Sequence, residues 1–296
     1  MSYKKIVASI LRSMPDSSYL RLQYYYHFRK LPNLKVPRTF NEKLQWLKLH
    51  DHNPLYTTIV DKIEMKKWVA SIIGDGYTIP TLGVWDSPSD IDFDSLPNQF
   101  VLKWNHDSGS IVICKDKSTF DKEKALRKLQ HGYKVNGFWY GREWPYLNVP
   151  PKVFAEPYME DSKTGELRDY KVFTFDGEAK LLLIASERQK EGTDTKFDFF
   201  DMNLNYIKMR NQHENAKTPP EPPSNFNLMK ELAEKISKNF VHLRVDFYEV
   251  DGKVYLGELT LYHGSGFMTF SPEKWYDILG GWINLTKINN HSNVLL

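Results

Sequence analysis

Apolar residues along this chain follow two periods, and the change between them divides it. Up to about residue 75 the spacing is helical. TFNEKLQWLKLH carries Thr39 at a capping position and Glu42 three residues on, a capping-box pattern at the start of an apolar-periodic helix. DKIEMKKWVASIIGDG predicts a second helix opening with Asp61 and stopping near Gly74, with Lys62, Lys66 and Lys67 along it. Residues 1–60 therefore read as mostly helical. From Tyr77 the period falls to two, giving strands in TIPTLGVW, QFVLKWN and SIVICK. A helix at about 121–131 ends near Gly132 and leads into the aromatic stretch NGFWYGREWPYLNVPP. KVFAEPYME and RDYKVFTFDGEAKLLLIASER predict three strands, with Asp176-Gly177 closing a hairpin, and KFDFFDMNLNYI predicts another pair. KTPPEPPS is a proline-rich surface loop, a helix runs from about Phe226 to Phe240, and SPEKWYDILGGWINL is a closing helix.

The stretch that organises the rest is HLRVDFYEVDGKVYLGELTLYHGSGF, residues 242–267. It alternates around Asp251-Gly252, a strong hairpin signal, with Arg244, Asp246, Glu258 and Thr260 as its polar set. Side chains alternate between faces, so loop length decides whether the carboxylates meet. A two-residue loop separates Asp246 from Glu258; a three-residue loop with Gly252 left-handed puts all four on one face. The second arrangement is the expectation. Paired hard oxygen ligands suit Mg2+ shared with phosphates, and an arginine suits a phosphoryl oxygen. An ordinary strand pair with cross-strand ion pairs shows the same pattern, and the hairpin alone does not separate the two.

Composition narrows the classes. The chain has 296 residues, 41% hydrophobic and 26% charged, which is enough for a sizeable core in one or two domains. Its net charge of +3 is too small and dispersed to argue for nucleic acid. A single cysteine, Cys114 in the strand-like IVIC run, excludes an internal disulfide and fits a reducing, cytoplasmic location. No apolar run approaches the ~20 residues of a membrane span, and the first residues lack a convincing signal-peptide cleavage site. The basic and aromatic residues from Arg21 to Lys30 could touch the inner face of a membrane, or form a solvated helix packed on the body. WNHDSGS is a small-residue turn able to present N–H groups to a phosphate, preceded by Lys103 at a strand end, but it has neither P-loop nor GxGxxG spacing.

Taken together, FNEKLQWLKLHDHNPLY, VDKIEMKKWV, LPNQFVLKWNHDSGS, YGREWPY, RDYKVFTFDGE and the hairpin, in order over roughly residues 40–270, resemble the ATP-grasp superfamily. More narrowly they resemble its TupA-like branch, named after teichuronopeptide biosynthesis and found in bacterial surface-polysaccharide loci. The resemblance implies an α+β fold in which two lobes enclose ATP: a helical segment over 1–60, a first lobe with the phosphate loop over 61–150, and a second with the hairpin and a C-terminal helix over 151–296. It implies that Lys103 and Lys66 contact ATP phosphates and that the loop with His106, Ser108, Gly109 and Ser110 covers them, although Asp107 stands where the family often has glycine. Ala155-Glu156-Pro157-Tyr158 resembles the hinge whose backbone holds the adenine edge, and Asp169 falls where an acidic residue binds the ribose. Asp246 and Glu258 match the Mg2+ carboxylates, with Thr260 where many relatives have asparagine. Arg244 matches the phosphate arginine, and Arg188 is a candidate for the γ-phosphate.

The function so implied is ATP-dependent joining of a carboxylate, such as a uronic acid or amino acid, to an amine, borne for instance on a sugar nucleotide or lipid-linked glycan. Gly264, Ser265 and Gly266 would turn backbone N–H groups to the developing oxyanion, and Arg142 or His263 would hold the carboxylate. Two other readings stand beside it. The DxD-like Asp90, Asp92 and Asp94 suggest a glycosyltransferase, although a solvated loop explains them better; Asp107 and Thr260 leave room for a nucleotide-binding module without catalysis.

Overall fold

The computed structural model describes residues 9, 11–107, 109–133, 135–187 and 194–290. The N-terminal part is helical, as expected: α1 (Asp16–Phe28), α2 (Phe40–His50), α3 (Leu55–Val60) and α4 (Lys62–Ile73). The capping box of α2 is formed, Thr39 accepting from the Glu42 N–H while Glu42 reaches back to Thr39 N–H. Asp61 caps α4 by accepting from the N–H groups of Ile63 and Glu64.

Two antiparallel sheets follow. The smaller has β1 (Gly83–Trp85), β2 (Phe100–Trp104), β3 (Val112–Cys114) and β4 (Val153–Pro157) in the order β1-β4-β2-β3. Since β4 is an inner strand of this sheet, the division between sheets falls after Pro157, several residues beyond the expected boundary at 150. Helices α5 (Lys122–Gly132) and α6 (Gly137–Gly141) lie between β3 and β4 in sequence. The larger sheet has β5 (Asp169–Phe175), β6 (Glu178–Ser186), β7 (Lys196–Phe200), β8 (Tyr206–Ile207), β10 (His242–Val250) and β11 (Lys253–Thr260), in the order β11-β10-β5-β6-β7-β8. β9 (Arg210–Asn211) pairs with β12 (Phe270–Ser271), and α7 (Phe226–Ser237) and α8 (Lys274–Trp282) complete the fold. The β5–β6 turn is Asp176-Gly177, both at positive φ, as the sequence predicts. Among the described residues no helix is long and apolar enough to cross a membrane.

The two faces of β10 do different work. Leu243, Val245 and Phe247 are fully buried in the main apolar cluster, which also takes in Phe226, Met229, Leu232 and Ile236 of α7 and Met65 and Val69 of α4. On the other face His242 stacks among Phe173, Phe175 and Phe40, and the next positions, Arg244 and Asp246, are charged. One face of the strand thus passes from aromatic packing to ionic chemistry within three positions.

The hairpin corrects one expectation while keeping its outcome. The loop has two residues, not three: Val250 pairs with Lys253, and Asp251 and Gly252 both have positive φ, 49° and 76°. That loop alone would set Asp246 opposite Gly257. The register instead shifts between Asp246 and Phe247, so Phe247 pairs with Leu256 and Asp246 with Glu258. Gly257 is the extra residue of a β-bulge, and the bulge returns both carboxylates, Arg244 and Thr260 to one face. Glycine is needed here because a Cβ would meet the ring of Tyr248, with Cζ at 2.9 Å and Oη at 3.1 Å. We expect Gly257→Ala to cost about 1–3 kcal/mol, read from the urea midpoint, because the ring must shift. Most of that loss should vanish in a Tyr248→Ala background; an undiminished penalty would show that the bulge tolerates only glycine for another reason.

Candidate active site

One wall of the cleft is built by the small sheet. Cross-strand pairing sets Val101 against Glu156 and Lys103 against Phe154, and α4 brings Lys66 to the same place. The buried Glu156 carboxylate bridges the two lysines, Oε1 to Lys66 Nζ at 2.5 Å and Oε2 to Lys103 Nζ at 2.7 Å. Burial pushes the Glu156 carboxyl up, but Lys103 and Lys66 more than offset this and hold it below the ordinary range. Burial also lowers the Lys66 ammonium despite its partner. Lys66 donates further to Ile79 O at 2.8 Å and Thr81 Oγ1 at 3.0 Å. The structure thus gives Glu156 a side-chain role beside its place in the predicted adenine hinge. A cleft of about 90 Å³ opens here, lined by Val101, Lys103, Ile113, Glu156, Tyr158 and Tyr248 among others. Tyr158 donates to Glu160 at 2.5 Å, at the edge of this cleft.

The loop after β2 is held from beneath. Asn105, fully buried, donates to Asp61 Oδ2 and Pro150 O, each at 3.0 Å, and accepts from Lys152 N–H at 2.8 Å. His106 is buried beside it, its Nδ1 3.2 Å from Asn105 Oδ1, and burial lowers its pKa. Asp107 takes the N–H groups of Gly109 at 2.8 Å and Ser110 at 3.0 Å, the donors a phosphate-covering loop would present. The departure from glycine at 107 therefore changes the loop. Lys62 ties the loop to the opposite wall: its Nζ donates to Asp107 O at 3.0 Å and lies 3.7 Å from Glu258 Oε1.

That opposite wall is the charged face of the large sheet. Arg244 grips Asp246 with two N–H groups, Nε to Oδ1 and Nη2 to Oδ2, both at 2.7 Å, and lies 3.8 Å from Glu258. Lys171, opposite Asp246 on β5, reaches Oδ2 at 2.5 Å and Asp169 Oδ1 at 3.4 Å. Burial raises the Asp246 carboxyl, yet Arg244 and Lys171 together bring it to about 2. Asp169 thus joins the same polar row, and Thr260 stands opposite Arg244. Lys171 was legible only as a neighbour of Asp169, two positions away on one face; its contact with Asp246 depends on strand order, which no local pattern records.

The turn after β11 closes the row. Gly264, Ser265 and Gly266 have φ of 52°, 55° and 67°, a left-handed turn, and the Ser265 N–H is used inside it by Tyr262 O at 2.8 Å. His263 is buried against Arg244. Its Nδ1 accepts from Arg244 Nη1 at 2.7 Å, which leaves Nε2–H to donate to Asn211 Oδ1 at 3.2 Å. Burial, then Arg244, drive its pKa well below the usual value, so the ring is neutral. His263 therefore orients the arginine instead of facing a substrate. From α2, Lys48 donates to Gly141 O and Ser265 O, both at 2.7 Å, and to Ser265 Oγ at 3.0 Å; Gln45 donates to Ser265 O at 3.0 Å and Gly266 O at 2.9 Å. Burial lowers the Lys48 ammonium to about 7. Lys48 was not singled out from the sequence. Its only signal is a charged residue four after Leu44 and eight after Phe40, on the apolar face of the helix.

Arg142 is engaged elsewhere. Almost wholly buried, it donates to Leu11 O at 2.7 Å and to Arg12 O and Met14 O at 3.3 Å, pairs with Asp16 at 3.2 Å and stacks on Tyr19. It fastens the N-terminal segment, which is where its charge goes instead of to a carboxylate ligand. Asp92 caps its own turn by accepting from Asp94 N–H at 3.0 Å and Ser95 N–H at 3.3 Å, while Asp94 lies 3.4 Å from Lys122 of α5; the acidic run is a solvated turn. Ser108 and Arg188 lie outside the described residues.

Among curated proteins no sequence matches this chain. Its structure is similar to D-alanine–D-alanine ligase from Bacillus anthracis, at 17% identity over 79% of this chain and 69% of that one, with a TM-score of 0.44. It is similar to the Helicobacter pylori enzyme of the same name at 13% identity, over 84% of this chain and 68% of that one, TM-score 0.44. The ATP complex of the Bacillus anthracis ligase shares 15% identity at a TM-score of 0.40; the match covers 69% of this chain and spans only 54% of that one. A sequence profile described as TupA-like ATPgrasp matches residues 42–284, which takes in most of α2, both lysines of the Glu156 clamp, the loop after β2 and the whole charged face. This chain belongs to the TupA-like ATP-grasp family.

Proposed function

We propose that the chain is an ATP-dependent, ADP-forming carboxylate–amine ligase, acting in the cytoplasm on precursors of a bacterial surface polysaccharide. The observation that carries the reading is Lys62, whose ammonium spans from the loop carbonyl of Asp107 to Glu258 and so brings the phosphate loop and the carboxylate pair to the two sides of one narrow cleft. In this reading the base lies against Tyr158 and Tyr248, the ribose near Asp169, and the phosphates run past Lys66 and Lys103 toward Arg244. Glu258, partly exposed, would offer Mg2+ an oxygen, and Asp246 opposite it would do so on exchanging a bond to Arg244 or Lys171; phosphates and water would supply the remaining hard oxygens. A bound Mg2+ would screen the β- and γ-phosphates. Among the described residues no three His, Cys, Asp or Glu side chains converge.

The chain's own groups then act by charge and position. Arg244, fixed by Asp246 and His263, holds a phosphoryl oxygen as a carboxylate oxygen attacks the γ-phosphorus; ADP leaves and an acyl phosphate remains. The amine nitrogen attacks the acyl carbon, the carbon–oxygen bond to phosphate breaks, and the nitrogen loses its proton. Lys48 and Gln45 keep the turn at 263–266 rigid beside this step. The contact of the aromatic, basic helix α1 with an inner membrane face belongs to the same proposal, and it would bring the enzyme to a lipid-linked acceptor.

ADP release measured across uronic acids and amino acids, with hydroxylamine trapping the acyl phosphate, tests the reading; AMP and pyrophosphate in place of ADP would overturn it. Lys103→Ala and Lys66→Ala should each weaken ATP binding about ten- to a hundredfold by calorimetry, the worth of a charge-assisted hydrogen bond. Unchanged affinity in both would reassign the clamp. Glu258→Gln keeps the side chain's shape and removes one ligand charge. It should abolish turnover while leaving the melting temperature within a few degrees of the parent, and a fully active variant would remove the metal assignment.

A further inference from the structure

Helix α1 is apolar on two sides. Inward, Tyr19, Leu20 and Tyr24 are buried with Phe267, and His27 stacks on the same ring at 4.9 Å. Outward, Leu22, Tyr25 and Tyr26 stand exposed at positions i, i+3 and i+4, which share one side of a helix. The Arg29 guanidinium lies 5.7 Å over the Tyr26 ring. The loop after the helix adds Leu31 and Val36, 66% and 67% exposed. They are held in that position. Arg21 donates to Pro32 O at 3.5 Å, Asn33 Oδ1 accepts from Lys35 N–H at 3.2 Å and Val36 N–H at 3.0 Å, and Glu42 accepts from Asn33 N–H at 2.9 Å. Of the fifteen exposed large apolar side chains among the described residues, five fall between positions 22 and 36, so they form a patch and not a scatter.

The charge around this patch has one sign. Residues 11–38 hold Arg12, Arg21, Arg29, Lys30, Lys35 and Arg38 against Asp16 alone, a local charge of +5 in a chain of net charge +3. Asp16 is already paired with Arg142 at 3.2 Å, and among the described residues none of the five cations from Arg21 to Arg38 has an ion-pair partner. Two copies meeting here would bring like charges together, which opposes self-association. Nucleic acid would answer the cations and leave Leu22, Leu31 and Val36 in water. A bilayer with anionic headgroups answers both, since the cations meet headgroup charge while the tyrosine rings and aliphatic tips enter the interfacial layer. We infer that α1 and the loop to Arg38 form a docking surface for an anionic phospholipid bilayer. This deepens the membrane contact proposed above and rests on that reading for its purpose, delivery of a lipid-linked acceptor. The surface is fastened to the site: Tyr19 Oη donates to Trp139 O at 3.1 Å and Tyr140 O at 3.0 Å, and Phe267, against which His27 stacks, follows the turn at 263–266.

The test is co-sedimentation of the full chain with vesicles of phosphatidylcholine alone or mixed with phosphatidylglycerol. The parent should pellet with the anionic vesicles and stay in solution with the neutral ones, and binding should fall about tenfold or more between roughly 0.1 and 1 M salt. Two triple variants divide the surface by chemistry: Lys30→Glu, Lys35→Glu and Arg38→Glu in one, Tyr25→Ser, Tyr26→Ser and Leu31→Ser in the other. Each should lower the partition coefficient about tenfold or more. Melting temperatures and ATP affinities equal to the parent's establish that both variants are folded with the nucleotide site intact. Equal binding to neutral vesicles overturns the inference, and so does parent-like binding by both variants. A parent that dimerises through these residues, or binds duplex DNA, while ignoring vesicles also overturns it. ADP release in solution is read separately. A chain that binds anionic vesicles and forms no ADP supports the surface and removes the ligase reading, whereas ADP formation without vesicle binding does the reverse.

Discussion

The fork between Arg244 and Asp246 is the contact on which the rest of the site depends. Both groups are buried on a strand whose other face is apolar at Leu243, Val245 and Phe247, so neither charge has water to fall back on. An uncompensated charge there would cost about 3–5 kcal/mol, and the bidentate geometry is what makes the pair tolerable. From this fork the other positions follow in turn. Lys171 completes Asp246 from β5, neutral His263 accepts the third arm of the guanidinium, and Asn211 fixes the histidine's tautomer from β9. Four elements distant in sequence are thereby set by one guanidinium.

The two walls of the cleft solve the same problem in different ways. On the small sheet a single buried carboxylate separates two lysines; on the large sheet one carboxylate gathers an arginine and a lysine. Each arrangement sets two cations against one carboxylate, so each keeps one positive charge in excess while no ammonium or guanidinium is left bare.

Much of this was legible in the sequence, where local chemistry decides the outcome. The Thr39/Glu42 capping box, the Asp61 cap and the Asp176-Gly177 turn formed as expected because each is settled within a few residues. The shared face of Asp246 and Glu258 was also expected, but from the wrong cause: loop length was read as decisive, and the bulge at Gly257 decided it. A glycine inside an alternating strand was the visible signal for that bulge. Lys171 and Lys48 were not legible, since the contacts that give them meaning run from β5 to β10 and from α2 to the turn at 263–266. Arg142 shows the opposite error. An arginine in an aromatic segment looked like a ligand group, and it proves to be a fastening for the carbonyls before α1.

The docking of α2 bears on where this protein can be cut. Gln45 and Lys48 supply donors to carbonyl groups of Gly141, Ser265 and Gly266, which would otherwise be stranded at the heart of the molecule. A fragment trimmed to α4 and the two sheets would keep Lys66, Lys103, Asp246 and Glu258 and lose the brace beneath the turn at 263–266. The helical segment ahead of residue 60 is therefore no appendage that evolution or an engineer can shed freely.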